Sequence, residues 1–147
     1  VTTIAEKAAY RALLLSDTEL AKAGKLFDGR AIGADGKPIT NTWYLTMQAG
    51  SEDDEQDRAT GSQAVRNPST TFQCSGSTPD QAAWVAERLD SVLRPGRKGR
   101  RLTVVGTRND PLQRDYVSPV QIDKDVSPPM WFVTVEYSHR SQAAPTT

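Results

Sequence analysis

Between residues 70 and 96, an alternating strand pattern passes through one glycine straight into a helix marked at both ends. In Thr70-Thr71-Phe72-Gln73-Cys74-Ser75 the apolar residues Phe72 and Cys74 fall on one side, the period of a half-buried strand. Gly76 ends it. Thr78 then fits an N-cap, Pro79 the first helical position and Asp80 the positive end of the helix dipole, while Gln81 completes a capping box. Ala82, Val85, Ala86, Leu89, Val92 and Leu93 recur at helical spacing until Pro95-Gly96. A one-faced strand followed at once by a one-faced helix buries both faces only if the helix lies back on a sheet, so further strands are required.

Two more alternating runs meet that need. Residues 43–49 put Trp43, Leu45 and Met47 on one face. Residues 130–137 put Trp131, Val133, Val135 and Tyr137 on one face and Phe132, Thr134 and Glu136 on the other. Residues 102–105 read as a short strand. The opposite sheet face, with Tyr44, Thr46, Gln48, Thr134 and Glu136, is part-polar, as in sheets that are solvated or meet a partner there. At the N-terminal end Thr3-Ile4-Ala5-Glu6 reads as a capping box, with Ile4, Ala8, Leu14 and Leu15 as the apolar face of a helix to about Leu15. A second short helix is expected after Ser16-Asp17-Thr18-Glu19, through Leu20 and Ala23, stopped by Gly24 or Gly29. Residues 31–41 carry turn chemistry compatible with a hairpin connection. Residues 50–69 are expected to form a long polar excursion between two strands, residues 108–129 to be irregular, and residues 138–147 to fray. The fold class expected is α+β: a small, mostly antiparallel sheet with helices packed on one face and long polar loops. It forms a single domain over residues 1–137, followed by a flexible C-terminal tail over 138–147.

Composition narrows function. The 147 residues include 18 basic and 18 acidic side chains, a balance unlike the basic excess of a general nucleic-acid or membrane-surface binder. No apolar run approaches the roughly 18–20 residues of a membrane span. No leader is expected, since the first residues lack a basic segment followed by an apolar stretch, and the chain is expected in a cytoplasm or in something assembled there. A single cysteine, Cys74, excludes an internal disulfide, and its strand position makes it a small core residue rather than a reactive thiol. The single histidine, His139, stands at the edge of the tail and reads as a surface residue. Residues 24–29 have glycine spacing, but Arg30-Ala31 follow where a phosphate loop needs Lys and Ser/Thr. Trp131, Phe132 and Tyr137 fit core packing better than a ligand platform. No catalytic residue, metal site or cofactor is expected, which leaves a binding or structural protein.

Charge is distributed in blocks. Glu52, Asp53, Asp54, Glu55 and Asp57 form an acidic run without calcium-loop spacing. It reads as a solvated face, an assembly element, or a surface that repels nucleic acid. Arg94, Arg97, Lys98, Arg100 and Arg101 form a basic turn that is simply solvated, touches a neighbouring protein, or binds nucleic acid. The last reading lacks the interleaved aromatics of single-strand binders.

An ordered set of segments in the second half of the chain resembles the tail terminator proteins of long-tailed bacteriophages, also called minor tail or tail completion proteins. The set comprises the strand ending Gln73-Cys74-Ser75-Gly76, the helix opening Thr78-Pro79-Asp80-Gln81-Ala82, the basic turn and residues 100–105, residues 117–125, and residues 128–137. The resemblance implies an α+β subunit that forms a ring, usually a hexamer, capping the tail tube. The ring would stop tube polymerisation and present a joining surface to the head-side connector or stopper protein. DNA would pass through the channel without specific binding, and neither catalysis, cofactor nor membrane is implied. Such a protein is located in the virion, at the tail–neck region, and is assembled in the bacterial host cytoplasm. On this resemblance Arg94, Arg97, Lys98, Arg100 and Arg101 are expected to contact a neighbour or the tube, and the Glu52–Asp57 run to lie near the channel or between subunits. Another neck protein, a head–tail connector or stopper, is the nearest alternative, and a small non-phage binding module the next.

Overall fold

The computed structural model describes residues 4–22, 25–29, 36–56 and 63–143. Helix α1 spans Ile4–Leu15, and strands β1 and β2 span Leu26–Asp28 and Tyr44–Gln56. Strand β3, Gln63–Gly76, leads into helix α2, Pro79–Leu93, and a 3-10 turn at Pro95–Arg97. Then follow β4 (Thr107–Asn109), β5 (Gln113–Val117), β6 (Gln121–Asp123), β7 (Met130–Ser138) and β8 (Ser141–Ala143). Among the described residues this is an α+β fold built on one open, mostly antiparallel sheet of eight strands, in the order β1-β2-β3-β7-β5. Among the described residues only β1 pairs in parallel, with β2. Strands β5 and β6 lie end to end along the outer side of β7. Strand β8 pairs with the outer part of β3, and β4 pairs with β8.

The period of two explains the core. Leu45, Met47, Phe72, Cys74, Val133, Val135 and Tyr137 are buried on the helix-bearing face. Helix α2 sets Ala82, Val85, Leu89, Val92 and Leu93 onto them, and α1 adds Ala9, Tyr10 and Leu14. Each fully buried Leu or Val contributes roughly 1.5–3 kcal/mol. Phe72 stands at the centre, edge-on to Tyr10 at 5.4 Å and to Tyr137 at 5.9 Å between ring centroids. Polar ties hold the layers in register: the Tyr137 hydroxyl donates to Asp90 at 2.9 Å, and the Arg88 guanidinium binds the Asp17 carboxylate. That guanidinium holds the Asp17 carboxyl below its ordinary range. Two glycines are required by close approach. A Cβ on Gly76 would meet the Ala82 nitrogen at 2.6 Å, and one on Gly99 would meet the Leu112 carbonyl at 2.0 Å.

The helix 79–93 and the strands around 43–49, 70–75 and 130–137 lie where the sequence predicts them. Several other segments differ. Residues 16–22 form successive turns rather than a second helix, with the Asp17 carboxylate accepting from the Leu20 N–H at 3.1 Å. Ala23 and Gly24 lie outside the described residues, as do Thr3 and residues 31–35 of the turn expected at 31–41. Because β1 is parallel to β2, their connection is a crossover and not a hairpin. Of the excursion expected at 50–69, residues 50–56 and 63–69 instead belong to the outer part of a long antiparallel pair, with Glu52 opposite Pro68 and Glu55 opposite Val65, and residues 57–62 lie outside the described residues. Backbone pairing carries that part of the ladder, so apolar alternation does not reveal it. Residues 102–105 are not a strand: Leu102 is buried, and its carbonyl accepts from the Asn109 side chain at 2.8 Å. Residues 108–129 contain β5, β6 and most of β4, although the sequence predicts irregular chain. In the expected tail, Ser138 closes β7 and residues 141–143 form β8, while 144–147 lie outside the described residues.

The buried face of α1 also differs from expectation. Leu14 is buried, but Ile4, Ala8 and Leu15 are exposed, and Glu6, Ala9 and Tyr10 take the inner positions. Tyr10 packs on Phe72, and Glu6 tolerates burial because Arg66 pairs with it at 3.0 Å.

Candidate functional site

The basic turn begins where α2 stops. Arg94 caps the helix through its N–H to the Asp90 carbonyl at 2.7 Å, and its guanidinium lies 3.7 Å from the Asp90 carboxylate. The 3-10 turn reverses the chain through Gly96 and Arg97, both at positive φ (62° and 66°). The Arg100 N–H then donates to the Leu93 carbonyl at 2.8 Å, fixing the return. Arg97, Lys98, Arg100 and Arg101 are exposed on one short segment, although the Arg101 guanidinium also reaches the Asn109 carbonyl at 3.3 Å. The five bases are thus not equivalent, since Arg94 is half-buried and committed to Asp90.

The acidic residues Glu52, Asp53, Asp54 and Glu55 belong to β2, and Asp57 lies outside the described residues. Their strand pairs with β3, which pairs with β8, which pairs with β4. Three strand-to-strand steps therefore separate the acidic strand from β4.

The sheet face away from the helices is part-polar, as expected. Thr46, Gln73 and Thr134 stand opposite one another across β2, β3 and β7. Phe27 and Tyr44 meet edge-on there at 6.1 Å between ring centroids. Pro38 and the segment carrying Asp123, Asp125 and Val126 border a cleft over Thr46 and Gln73.

His139 overturns its expected surface position: it is 3% exposed, and neither ring nitrogen has a hydrogen-bond partner among the described residues. Its N–H donates to the Pro68 carbonyl at 3.3 Å, which draws residue 139 into the sheet. Burial pushes the imidazole below its ordinary pKa. Cys74 is fully buried, and burial pushes its thiol up, away from the reactive thiolate. Among the described residues no cluster of His, Cys, Asp and Glu could hold a metal ion, and no helix is long and apolar enough to cross a membrane.

A second surface was not legible in the strand and helix patterns. Helix α2 covers β3 and β7 and leaves the β5–β6 edge uncovered, opening an apolar groove of 270 Å³. Ala83, Ala86, Val117, Pro119, Val120 and Val135 line it, with Glu87 and Arg114 among the charged residues beside them. The groove depends on where the sheet ends relative to the helix, which residue spacing does not encode.

No protein-family model matches the sequence, and neither does any curated protein sequence. The fold is similar to that of a chain in the virion of a native gene transfer agent particle, with a TM-score of 0.65 at 17% identity. The match covers 93% of this chain and 94% of that one.

Proposed function

We propose that the chain is a structural subunit of a phage-like virion, with no catalytic role, and that within the virion it is the tail terminator. The observation that carries this reading is the fold shared with a chain of the gene transfer agent virion over nearly the whole length of both. The ordered segments of residues 73–137 support the finer role, since they resemble tail terminators of long-tailed phages. By analogy with that family, copies form a ring of six that caps the tail tube, ends its growth and offers a joining surface to the head-side connector or stopper. DNA passes through the channel without specific contacts, and the ring sits at the tail–neck region of the virion after assembly in the host cytoplasm.

Charge blocks supply the assigned surfaces. Arg97, Lys98, Arg100 and Arg101 contact a neighbour or the tube. Arg94 contributes less because Asp90 already holds it. The acidic strand carrying Glu52, Asp53, Asp54 and Glu55, together with Asp57, lies near the channel or between subunits, where negative charge repels phosphate and lets DNA slide. Reversing Arg97, Lys98, Arg100 and Arg101 to Glu is expected to weaken binding to the ring or tube while the monomer stays folded, read by light scattering with and without tail tube protein. Normal assembly by that variant would remove the assignment. Micrographs of particles lacking the protein decide the role itself: overlong or ragged tails identify a terminator, and finished tails detached from heads identify a connector or stopper instead.

A further inference from the structure

We propose that α1 of one copy seats in the groove beside α2 of the next, so that the subunits associate head to tail. This inference rests on the ring reading above. Ile4, Ala8, Arg11 and Leu15 follow one another at i, i+4, i+7 and i+11, which places them along one line of α1. All four are exposed, Ile4 at 88% and Leu15 at 44%, while the inner face is occupied by Glu6, Ala9, Tyr10 and Leu14. An exposed line of this length, apolar at three of its four positions, has no role in the subunit's own core. The groove is its counterpart. Ala83 and Ala86 give α2 a flank of small side chains that lets a second helix approach closely, and Val117 and Val120 on the opposite wall are 43% and 38% exposed.

Charge selects the pairing. Arg11 on the line and Glu87 beside the groove are exposed and make no ion pair among the described residues. Two α1 lines docked on each other would oppose arginine to arginine, and two grooves would oppose glutamate to glutamate, since the Arg114 that also lines the groove already pairs with Asp90 at 3.4 Å. Line into groove opposes arginine to glutamate, so the contact joins two different surfaces. Such a heterologous contact builds a ring when its rotation closes. The placement agrees. At about 100° per residue, Ala83 and Ala86 lie on one flank of α2, and Arg88 lies on the other, where it binds Asp17 just after α1. A copy therefore presents its own α1 on the side of α2 away from its groove.

The test uses the full chain. Arg11→Glu and Glu87→Arg, each alone, put like charges at every junction, and each is expected to weaken self-association by at least about tenfold in sedimentation or light scattering. Circular dichroism should be unchanged, and so should melting at concentrations where every form is dissociated, because both residues are exposed. An equimolar mixture of the two variants restores opposite charges at every junction of an alternating ring, and the double variant restores them in a uniform one. Recovery of the wild-type mass in both supports the proposal. Single variants that assemble like wild type, or a mixture that stays dissociated, overturn it while leaving the ring intact. Variants that form rings but no longer bind tail tube protein overturn it too, and assign the groove to the tube. A wild-type chain that stays monomeric even with tail tube protein overturns both the proposal and the ring reading.

Discussion

His139 is a base enclosed by the fold, and its surroundings set a pH dependence. Burial disfavours the imidazolium most, Arg66 adds to that effect, and Glu6 and Asp110 oppose it. The net result is a folded pKa below the ordinary 6.5, so the unfolded chain binds more protons than the folded one as pH falls. The stabilisation is present above pH 6.5 and is lost as pH falls from there toward the folded value. The thermal midpoint is expected to drop between pH 7.5 and 5.5, with a contribution of up to about 1.4 kcal/mol per pH unit from this one site. Calorimetry on wild type and His139→Gln checks it: the variant should lose most of the slope in that window, and an unchanged slope would clear His139 of the effect. The sequence placed this residue at the surface because its neighbours are polar. Ser138, His139 and Ser141 are held by backbone bonds to β3 and β4, and such bonds leave no signature in residue type.

Among the elements, α2 is the most legible because its ends are chemically marked. The Thr78 hydroxyl accepts from the Gln81 N–H at 3.1 Å, as the motif predicts. The return bond is displaced by one residue: the Gln81 side chain accepts from the Ser77 N–H at 2.7 Å rather than from Thr78. Thr78→Ala should cost about 1 kcal/mol, and Thr78→Ser much less, measured by urea unfolding. Equal losses in the two variants would show that the hydroxyl bond is not the source. Strands with one face in the core were equally readable, since Phe72 and Cys74, or Val133, Val135 and Tyr137, carry the alternation. The outer parts of β2 and β3 were not, because their pairing of residues 52–56 with 63–68 is carried by the backbone through a polar sequence. The α1 face was half readable: Leu14 was placed correctly, but a buried Glu6 becomes intelligible only once Arg66 is brought 60 positions along the chain to meet it.

At the scale of the whole molecule, zero net charge conceals separation, with five acids in residues 52–57 and five bases in 94–101. That arrangement was visible in the sequence, whereas the groove beside α2 required the sheet to be assembled. A subunit that associates only when folded gains stability by mass action, so its thermal midpoint should rise with protein concentration. Calorimetry across a roughly hundredfold concentration range would show this rise. A constant midpoint would place association outside the accessible range and count against a ring formed by the chain alone. The fold shared with a gene transfer agent virion chain at 17% identity is consistent with how little of the architecture rests on particular residues.

The outer edge of the sheet carries one more consequence. Strands β5 and β6 are separated at Ser118, whose hydroxyl accepts from the Thr134 N–H at 2.8 Å while its own N–H donates to the Thr134 carbonyl at 2.8 Å. Beside it, the register shifts between Arg114 and Tyr116. The rim is therefore chopped into pieces of five and three residues, and neither is long enough to template a foreign strand. Copies would not zip together into fibres through this β5–β6 rim. In the proposed ring, contacts between copies would instead fall to side-chain surfaces with a fixed geometry, which can finish at a definite number of copies.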